Sequence, residues 1–372
     1  MPRYVIDEAA LRRNLEVLRD VSVRTDAKIL LAQKAFSCAA VYPLCARHLA
    51  GTTASSLFEA RHGHDNFGGE THVFAPAFVP EDMDELLGLV DHIVFNSPRQ
   101  IEKFGAAARR RGVSVGLRVN PEVSVATTPA YDPCRPSSRL GTTRASLDSA
   151  GGLTEGVDGL HFHCLCEQGL DELRKVLAGF EARFGDILPR VKWVNFGGGH
   201  HITRDGYDVD GLVALLNGFR ARYPHLAVYL EPGEAVALNA GTLESRVLEV
   251  QPKDADGVAN AILDVSAACH MPDVLEMPYT PPVAGAEKGA GGPFAYRFGG
   301  PTCLAGDEIG VYSFETPLAE GDAVVFRDMA IYTMVKNNTF NGLNLPDIVI
   351  RREDGREEAV HRFSYADFAS RL

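Results

Sequence analysis

Chemically distinctive residues stand at or directly after the ends of apolar, strand-like runs: Lys34, His163, Gly197 to Gly199 and Glu231. A lysine at such a position can be partly desolvated, which lowers the pKa of its amine and suits it to form a Schiff base with an aldehyde cofactor. A carboxylate such as Glu231, placed opposite a pyridine nitrogen, keeps that nitrogen protonated, so the ring can accept electrons from a carbanion. The set therefore predicts a pocket for pyridoxal 5′-phosphate (PLP).

Each member of this set also has a simpler explanation. Three glycines let backbone N–H groups approach a phosphate, but they also occur in tight turns. His163 could stack on a flat ring or be a satisfied core histidine, and a lysine that closes a strand is often a solvated surface residue. The combination, rather than any one residue, favours the cofactor. His200 and His201 follow the glycines without a third ligand at suitable spacing, so no metal site is predicted.

Alternating strand-like and helix-like segments occupy the first two thirds of the chain. Eight strand-like runs separated by helical patterns predict a parallel (β/α)₈ TIM-type barrel, in which working residues stand at the carboxyl ends of the strands. The predicted strands are 29–32, 51–55, 71–75, 92–96, 114–120, 157–163, 192–197 and 227–231.

The pattern changes near residue 235, after which short strand candidates alternate with Gly/Pro turns. We predict a PLP-binding barrel over residues 10–235 and a C-terminal, mostly β, sandwich- or barrel-like domain over 236–372. The N-terminal strand, at residues 1–9, is expected to join this second domain. The Gly- and Pro-rich stretch 280–293 is expected to be a mobile loop.

Composition narrows the classes of function. A formal net charge of −12 over 372 residues argues against a nucleic-acid surface and suits a cationic small molecule. Seven cysteines without disulfide-framework spacing predict reduced thiols, and Met1 is followed by no charged-then-apolar leader, so we expect a cytoplasmic protein. No apolar run approaches the roughly 18 residues of a membrane span.

Longer motifs carry a resemblance to a known family. The chain resembles the fold type III (alanine racemase-like) PLP enzymes and, within them, the carboxynorspermidine decarboxylases. The stretches 270–278 (HMPDVLEMP) and 300–307 (GPTCLAGD) are the most specific. The other matching motifs are AQKAFS (32–37), SSLFEAR (55–61), YDPC (131–134), SRLG (138–141), HFH (161–163), GGGHHIT (197–203), EPGEA (231–235), YTMVK (332–336) and FNG (340–342).

The resemblance implies a role for each matching residue. Lys34 would hold PLP covalently, and Cys303 would return a proton to the substrate. The other implied cofactor contacts are His163 on the ring, Glu231 at its nitrogen, and Gly197, Gly198, Gly199 and Tyr332 at the phosphate. The implied substrate contacts are Glu234, His270, Asp273 and Asp307. The family resemblance further implies a homodimer in which Cys303 and Asp307 act across the interface.

The implied activity is decarboxylation of carboxynorspermidine to norspermidine and of carboxyspermidine to spermidine, in polyamine biosynthesis. Because the two substrates differ by one methylene, which a pocket discriminates by only about 1–3 kcal/mol, we expect both to be used. Two alternatives remain. One is another decarboxylase of this fold, acting on diaminopimelate, ornithine or arginine. The other is a non-catalytic PLP-binding regulator, which the β domain and the cysteine-containing loop disfavour.

Overall fold

The computed structural model describes residues 2–252 and 257–372, and the chain forms two compact units. We call Arg12–Val236 the barrel unit. Met1–Leu11 together with Ala237–Leu372 make up the second, which we call the β unit. The barrel sequence is thus inserted between the two parts of the β unit.

A closed parallel barrel forms the barrel unit, which confirms the predicted fold class. Strand β1 (Arg3–Asp7) lies in the β unit, and the next eight strands close the barrel. They are β2 (Lys28–Ala32), β3 (Gly51–Ala54), β4 (Glu70–Phe74), β5 (His92–Phe95), β6 (Ser114–Arg118), β7 (Gly159–His161), β8 (Trp193–Asn195) and β9 (Ala227–Leu230). Strand β9 pairs back onto β2, with Tyr229 opposite Lys28.

Ten helices precede or follow these strands. They are α1 (Glu8–Thr25), α2 (Tyr42–Cys45), α3 (Leu57–Asn66), α4 (Met83–Leu86), α5 (Pro98–Gln100), α6 (Ala106–Arg110), α7 (Arg144–Ser149), α8 (Leu170–Phe184), α9 (Val209–Arg222) and α10 (Glu234–Ala237). The Asp7 carboxylate accepts a hydrogen bond from the Ala10 amide at 2.8 Å and caps α1, as expected for an acceptor at a helix start. No helix in the described part of the chain has the length and apolar character needed to cross a membrane.

The barrel interior is packed around Trp193, which is buried with Leu30, Val94 and Tyr229. Its indole ring occupies the space above Gly159, where a Cβ would lie 2.0 Å from a ring carbon. Glycine at this strand position is therefore required by the packing of a large neighbour and has no catalytic meaning.

A polar cluster closes the amino-terminal end of the barrel. Lys28 pairs with the Glu70 carboxylate, which also accepts a 3.0 Å hydrogen bond from Tyr229 and lies 3.0 Å from a ring nitrogen of His72. Potential metal-ligand atoms of Glu70, His72 and His92 lie within 4.8 Å of one another. Lys28 neutralises Glu70, whereas the buried Nδ1 atoms of His72 and His92 have no hydrogen-bond partner among the described residues. The cluster lies at the end of the barrel opposite the strand ends that carry the predicted site.

The β unit is built on a nine-stranded sheet in which β1 lies between β10 and β16. Its other strands are β10 (Gly241–Gln251), β11 (Ala259–Leu263), β12 (Glu287–Lys288), β13 (Phe294–Gly299), β14 (Glu308–Phe314), β15 (Ala323–Arg327), β16 (Asp347–Arg351) and β17 (Glu357–His361). Its helices are α11 (Ala267–His270), α12 (Asp273–Glu276), α13 (Thr333–Lys336) and α14 (Tyr365–Ala369).

Candidate active site

Lys34 lies in the turn directly after β2. Its side chain is exposed to solvent, yet enclosure by protein lowers the pKa of its amine, and the positive charge of Arg118 lowers it further. A side chain meets both conditions when it touches water on one side and protein on the others. A lowered pKa leaves more of the amine in its neutral, nucleophilic form.

Glu231 directly follows β9 and is held by two donors from neighbouring strands. The His161 ring nitrogen Nε2 lies 3.0 Å from Oε2, and the Asn195 side-chain amide donates to Oε1 at 2.8 Å. Burial alone would raise the pKa of Glu231, but the contact with His161, together with the nearby His72 and His163, outweighs it and lowers that pKa to about 2. The carboxylate is therefore ionised at neutral pH.

His163 is held by one backbone amide and by one arginine side chain. The Gly198 amide donates to its Nδ1 at 3.1 Å, and the Arg118 guanidinium donates to its carbonyl at 3.0 Å. Burial, followed by the positive charges of Lys34 and Arg118, holds the pKa of His163 well below its usual range. The imidazole is therefore a neutral, flat ring at physiological pH.

The three glycines are required by close packing of neighbouring strand ends. A Cβ on Gly197 would lie 2.6 Å from the Phe162 carbonyl, one on Gly198 would lie 2.1 Å from the Glu231 carbonyl, and one on Gly199 would lie 2.0 Å from the Leu165 carbonyl. A turn without a ligand therefore accounts for all three glycines, so their presence does not by itself indicate a phosphate site. The same packing brings the glycine turn beside Glu231 and His163.

Glu234 begins α10 and faces the histidine pair that follows the glycines. Its Oε2 lies 3.0 Å from Nε2 of His201, at an angle unsuited to a hydrogen bond, so the contact is one of charge and proximity. Nδ1 of His200 lies 2.8 Å from the Tyr207 hydroxyl. The predicted substrate ligand Glu234 is thus in the barrel unit, on the strand-end side.

Cys303 lies on an exposed loop of the β unit, between β13 and β14. Its amide donates to the Asn341 side chain at 2.8 Å, which fixes the loop and leaves the thiol outward. Of the seven cysteines, it is the one with an exposed side chain. This accessibility is what a proton donor to a bound molecule needs.

Asp307, predicted to bind substrate, is instead the internal anchor of the Cys303 loop. Its side chain is 4% exposed. Its carboxylate accepts hydrogen bonds from the Ser266 hydroxyl at 2.8 Å, the Ala268 amide at 3.1 Å and the Thr302 hydroxyl at 2.6 Å. With both oxygens used, the structure favours a positioning role over substrate contact.

The contacts of His270 and Asp273 also differ from those expected of residues that only bind substrate. His270 is fully buried, with the Ser266 amide donating to Nδ1 at 3.3 Å and Nε2 lying 3.0 Å from the Asn344 carbonyl. Burial lowers the pKa of His270 to about 4, so the ring is neutral. Asp273 is paired with Lys336, which also binds Glu276. A cationic ligand at Asp273 would have to compete with this lysine.

Tyr332 has an unusual backbone conformation, with φ 54° and ψ −44°. The Thr333 amide donates across it to the Ile331 carbonyl at 2.5 Å, which defines a γ-turn. Strained backbone of this kind persists where the surroundings require one side-chain direction, commonly at functional sites. It supports the prediction that Tyr332 has a functional role.

Comparison with known proteins identifies the family. A family model described as the pyridoxal-dependent decarboxylase, C-terminal sheet domain, matches residues 3–330. The chain belongs to the pyridoxal-dependent decarboxylases. The resemblance found in the motifs is therefore confirmed at the level of the family.

Two relatives and one solved structure match this decarboxylase over its full length. It is 42% identical to carboxyaminopropylagmatine decarboxylase of Synechocystis sp. over 100% of this chain and 95% of the relative. It is 40% identical to carboxynorspermidine/carboxyspermidine decarboxylase of Campylobacter jejuni over 100% of this chain and 98% of the relative. The crystal structure of carboxynorspermidine decarboxylase from Campylobacter jejuni, complexed with norspermidine, superposes with a TM-score of 0.92 at 39% identity, covering both chains completely.

The strand-end residues of this decarboxylase fit PLP. Lys34 offers an amine with a lowered pKa, His163 a neutral flat ring, and Glu231 an ionised carboxylate. Gly198 joins two of these residues, because its amide donates to His163 and its Cα packs against the Glu231 carbonyl, and the charge of Lys34 acts on His163. The donor set matches the aldehyde, ring and nitrogen of the cofactor.

Arg118 is a site residue that sequence reasoning missed. It ends β6, is 4% exposed, and lies with its guanidinium carbon 4.4 Å from the centre of the Phe74 ring. Burial lowers the pKa of Arg118 to about 10, so it still carries its charge at neutral pH. The sequence did contain a signal for Arg118, because an arginine ends an otherwise apolar strand. A lysine after a similar apolar run led to the prediction for Lys34.

Replacing Asp307 with alanine is expected to destabilise the protein by about 2–4 kcal/mol, because two hydroxyls and one amide lose their buried acceptor. Asp307→Asn, which keeps one acceptor oxygen, should cost less. Urea unfolding followed by intrinsic fluorescence measures both, with Asp354→Ala as the exposed control. Unchanged stability of Asp307→Ala, with a raised KM for substrate, would instead support the original prediction of substrate contact.

Proposed function

We propose that this protein decarboxylates carboxynorspermidine and carboxyspermidine, using PLP, in polyamine biosynthesis. The observation that carries the proposal is the full-length similarity to the norspermidine complex, at 39% identity and a TM-score of 0.92. Lower-identity neighbours of the same fold act on other amino acids, so the substrate assignment depends on this similarity rather than on the fold. The net charge of −12 is consistent with a polycationic substrate.

PLP, when bound, supplies an aldehyde that bonds to an amine and a ring that takes up the electron pair left by departing CO₂. Lys34 would hold it through its amine, His163 would lie against the ring, and Glu231 would face the ring nitrogen. The phosphate would be held by Gly197 to Gly199 and by Tyr332. Glu231 is ionised at pH 7, and its negative charge favours a proton on the ring nitrogen. His163 is neutral at that pH, so it adds no positive charge that would oppose this proton.

Cys303 would return a proton to the substrate α-carbon after CO₂ has left. A thiol is a competent general acid near neutral pH, and the Cys303 loop is held in place by Asp307 and Asn341. We further propose a homodimer in which the Cys303 loop of one protomer serves the barrel of its partner. All seven cysteines are free, which is compatible with a cytoplasmic location.

Glu234 and Asp273 are proposed to bind the distal ammonium groups of the substrate. Glu234 is half-buried beside His201, and Asp273 is paired with Lys336. For Asp273, this role requires the lysine to give way to the substrate. His270 and Asp307 are assigned to holding the loops instead.

Carboxyaminopropylagmatine is the second candidate substrate, because the decarboxylase named for it is 42% identical over this whole chain. Its distal group is a guanidinium, which prefers planar, bidentate carboxylate contacts, whereas an ammonium is a compact point charge. Both substrates carry the same amino-acid end, so Lys34, Glu231 and Cys303 would serve either one. Only the groups that receive the distal cation would differ.

Product analysis on the purified holoenzyme tests the assignment. Carboxynorspermidine, carboxyspermidine, carboxyaminopropylagmatine, diaminopimelate, ornithine and arginine would be supplied in turn, and kcat/KM compared. We expect norspermidine and spermidine, with kcat/KM for the two substrates within about 200-fold, since they differ by one methylene. Preferred turnover of carboxyaminopropylagmatine would support the second candidate, and a bound cofactor without turnover of any substrate would support a regulator.

A further inference from the structure

The Glu231 carboxylate is held by two completely buried side chains that the proposed mechanism does not use. His161 ends β7 and Asn195 ends β8, so each donor comes from a different strand. We propose that His161 and Asn195 are positioning residues that hold Glu231 as a charged carboxylate facing the ring nitrogen of the cofactor. This inference rests on the proposed function and adds two residues to it.

The contacts of His161 define its protonation state. Its Nε2 lies 3.0 Å from Oε2 of Glu231, while its buried Nδ1 has no hydrogen-bond partner in the part of the chain that the structure describes. A carboxylate accepts but does not donate, so Nε2 must carry the proton. A proton on Nδ1 as well would be a buried, unpaired donor, which is costly. His161 is therefore a neutral donor.

Neutrality of His161 matters for the charge of the site. Burial lowers the pKa of His161, Glu231 acts in the opposite direction, and Arg118 from β6 and His72 from β4 lower it further. An imidazolium at this position would cancel the charge of Glu231 and leave less negative potential at the ring nitrogen. A neutral imidazole orients the carboxylate and preserves its charge. His163 and Lys34 are the other titratable groups near this pair.

Asn195 connects Glu231 to the glycine turn. Its side-chain NH₂ donates to Oε1 of Glu231 at 2.8 Å, and its carbonyl oxygen accepts from the Gly197 amide at 2.8 Å. These two partners fix the orientation of the amide, since only the NH₂ end can donate and only the oxygen can accept. One side chain thus sets the spacing between the group proposed for the ring nitrogen and the turn proposed for the phosphate.

The experiment compares matched variants of the holoenzyme. His161→Leu removes the donor, His161→Gln offers a neutral N–H in its place, and Asn195→Asp replaces a donor by a second carboxylate. His92→Gln is the control, because His92 lies at the opposite end of the barrel and stacks on His72 with ring centres 4.0 Å apart. The readouts are kcat and KM against pH, the visible absorption band of the lysine-bound cofactor, and the fraction of PLP retained on dialysis.

We expect His161→Leu to lower kcat about 10- to 100-fold, as for loss of one hydrogen bond to a charged group, with little change in KM. The pKa of Glu231 should rise without its donor, so the loss of kcat on the acidic side should move toward neutral pH. His161→Gln should restore most of kcat. It should also return the acidic limb of the pH profile, the fall of kcat at low pH, to its wild-type position. Asn195→Asp should lower kcat and weaken PLP retention together.

A His161→Leu enzyme with kcat within about twofold of wild type and an unmoved acidic limb would overturn the inference. If that variant does not fold, unchanged kcat and PLP retention in Asn195→Asp would overturn it equally. Loss of stability alone, with kcat per bound PLP and the acidic limb preserved, would assign His161 to packing and also overturn it. Failure of the proposed function would be recognised separately, as wild-type protein that binds no PLP or decarboxylates none of the substrates.

Discussion

Lys34→Ala is expected to abolish decarboxylation, with kcat reduced at least about a thousandfold, because a covalent catalyst loses its nucleophile. The visible absorption band of the lysine-bound cofactor should disappear as well. The lowered pKa of Lys34 gives the prediction a pH dependence. Since only the neutral amine attacks an aldehyde, capture of added PLP by the apoenzyme should proceed at a lower pH than for a lysine of ordinary pKa. Stopped-flow absorption of apoenzyme mixed with PLP measures this rate.

Lys28→Ala is the matched control for Lys34. Both lysines belong to the same strand region, but Lys28 lies at its amino-terminal end, paired with Glu70. The Lys28 variant should keep both the absorption band and kcat, with only a modest loss of stability from a half-exposed ion pair. A Lys34→Ala protein that retains the band and turns over substrate would refute the assignment of Lys34 as the cofactor-binding lysine.

The architecture of the barrel was predictable because its signal is repeated. Parallel strands are buried on both faces, so a run such as 29–32 is continuously apolar, and eight strand-like runs alternate with helical patterns. Polar residues at the ends of such runs stand out, which is how Lys34 and Glu231 were found. The predicted roles of these residues remain proposals.

Residues that act through other residues were not predictable in the same way. His161 was seen only as part of a motif with His163, and its contact with Glu231 depends on the closure of the barrel, which places residues 70 positions apart side by side. Asp307 is the opposite case. An acidic residue inside a family-specific motif suggested a cationic ligand, whereas the fold surrounds it with its own hydroxyls and an amide. Sequence alone does not distinguish a carboxylate that is open to a ligand from one whose oxygens already accept hydrogen bonds from the protein.

Cys303→Ala is expected to lower kcat by about 100- to 10,000-fold, the range for loss of a positioned general acid. The reason is that the substrate α-carbon must receive a proton after CO₂ departs, and the exposed Cys303 thiol is the donor proposed. Lys34→Ala and Cys303→Ala affect different steps, so the cofactor band should survive in the cysteine variant. Leu304→Ala, on the same exposed loop, is the control for loop integrity and should retain most of kcat.

Mixing these two inactive variants tests the proposed sharing of sites between protomers. If Cys303 serves the barrel of the partner, a mixed dimer of Lys34→Ala and Cys303→Ala protomers has one site with both lesions and one site with neither. Random exchange at equal concentrations should then restore about a quarter of wild-type activity, since half of the dimers are mixed and each has one intact site. If each protomer supplied its own cysteine, every site in the mixture would lack one of the two residues and no activity would return. Recovered kcat as a function of mixing ratio, with size-exclusion chromatography to verify exchange, separates the two arrangements.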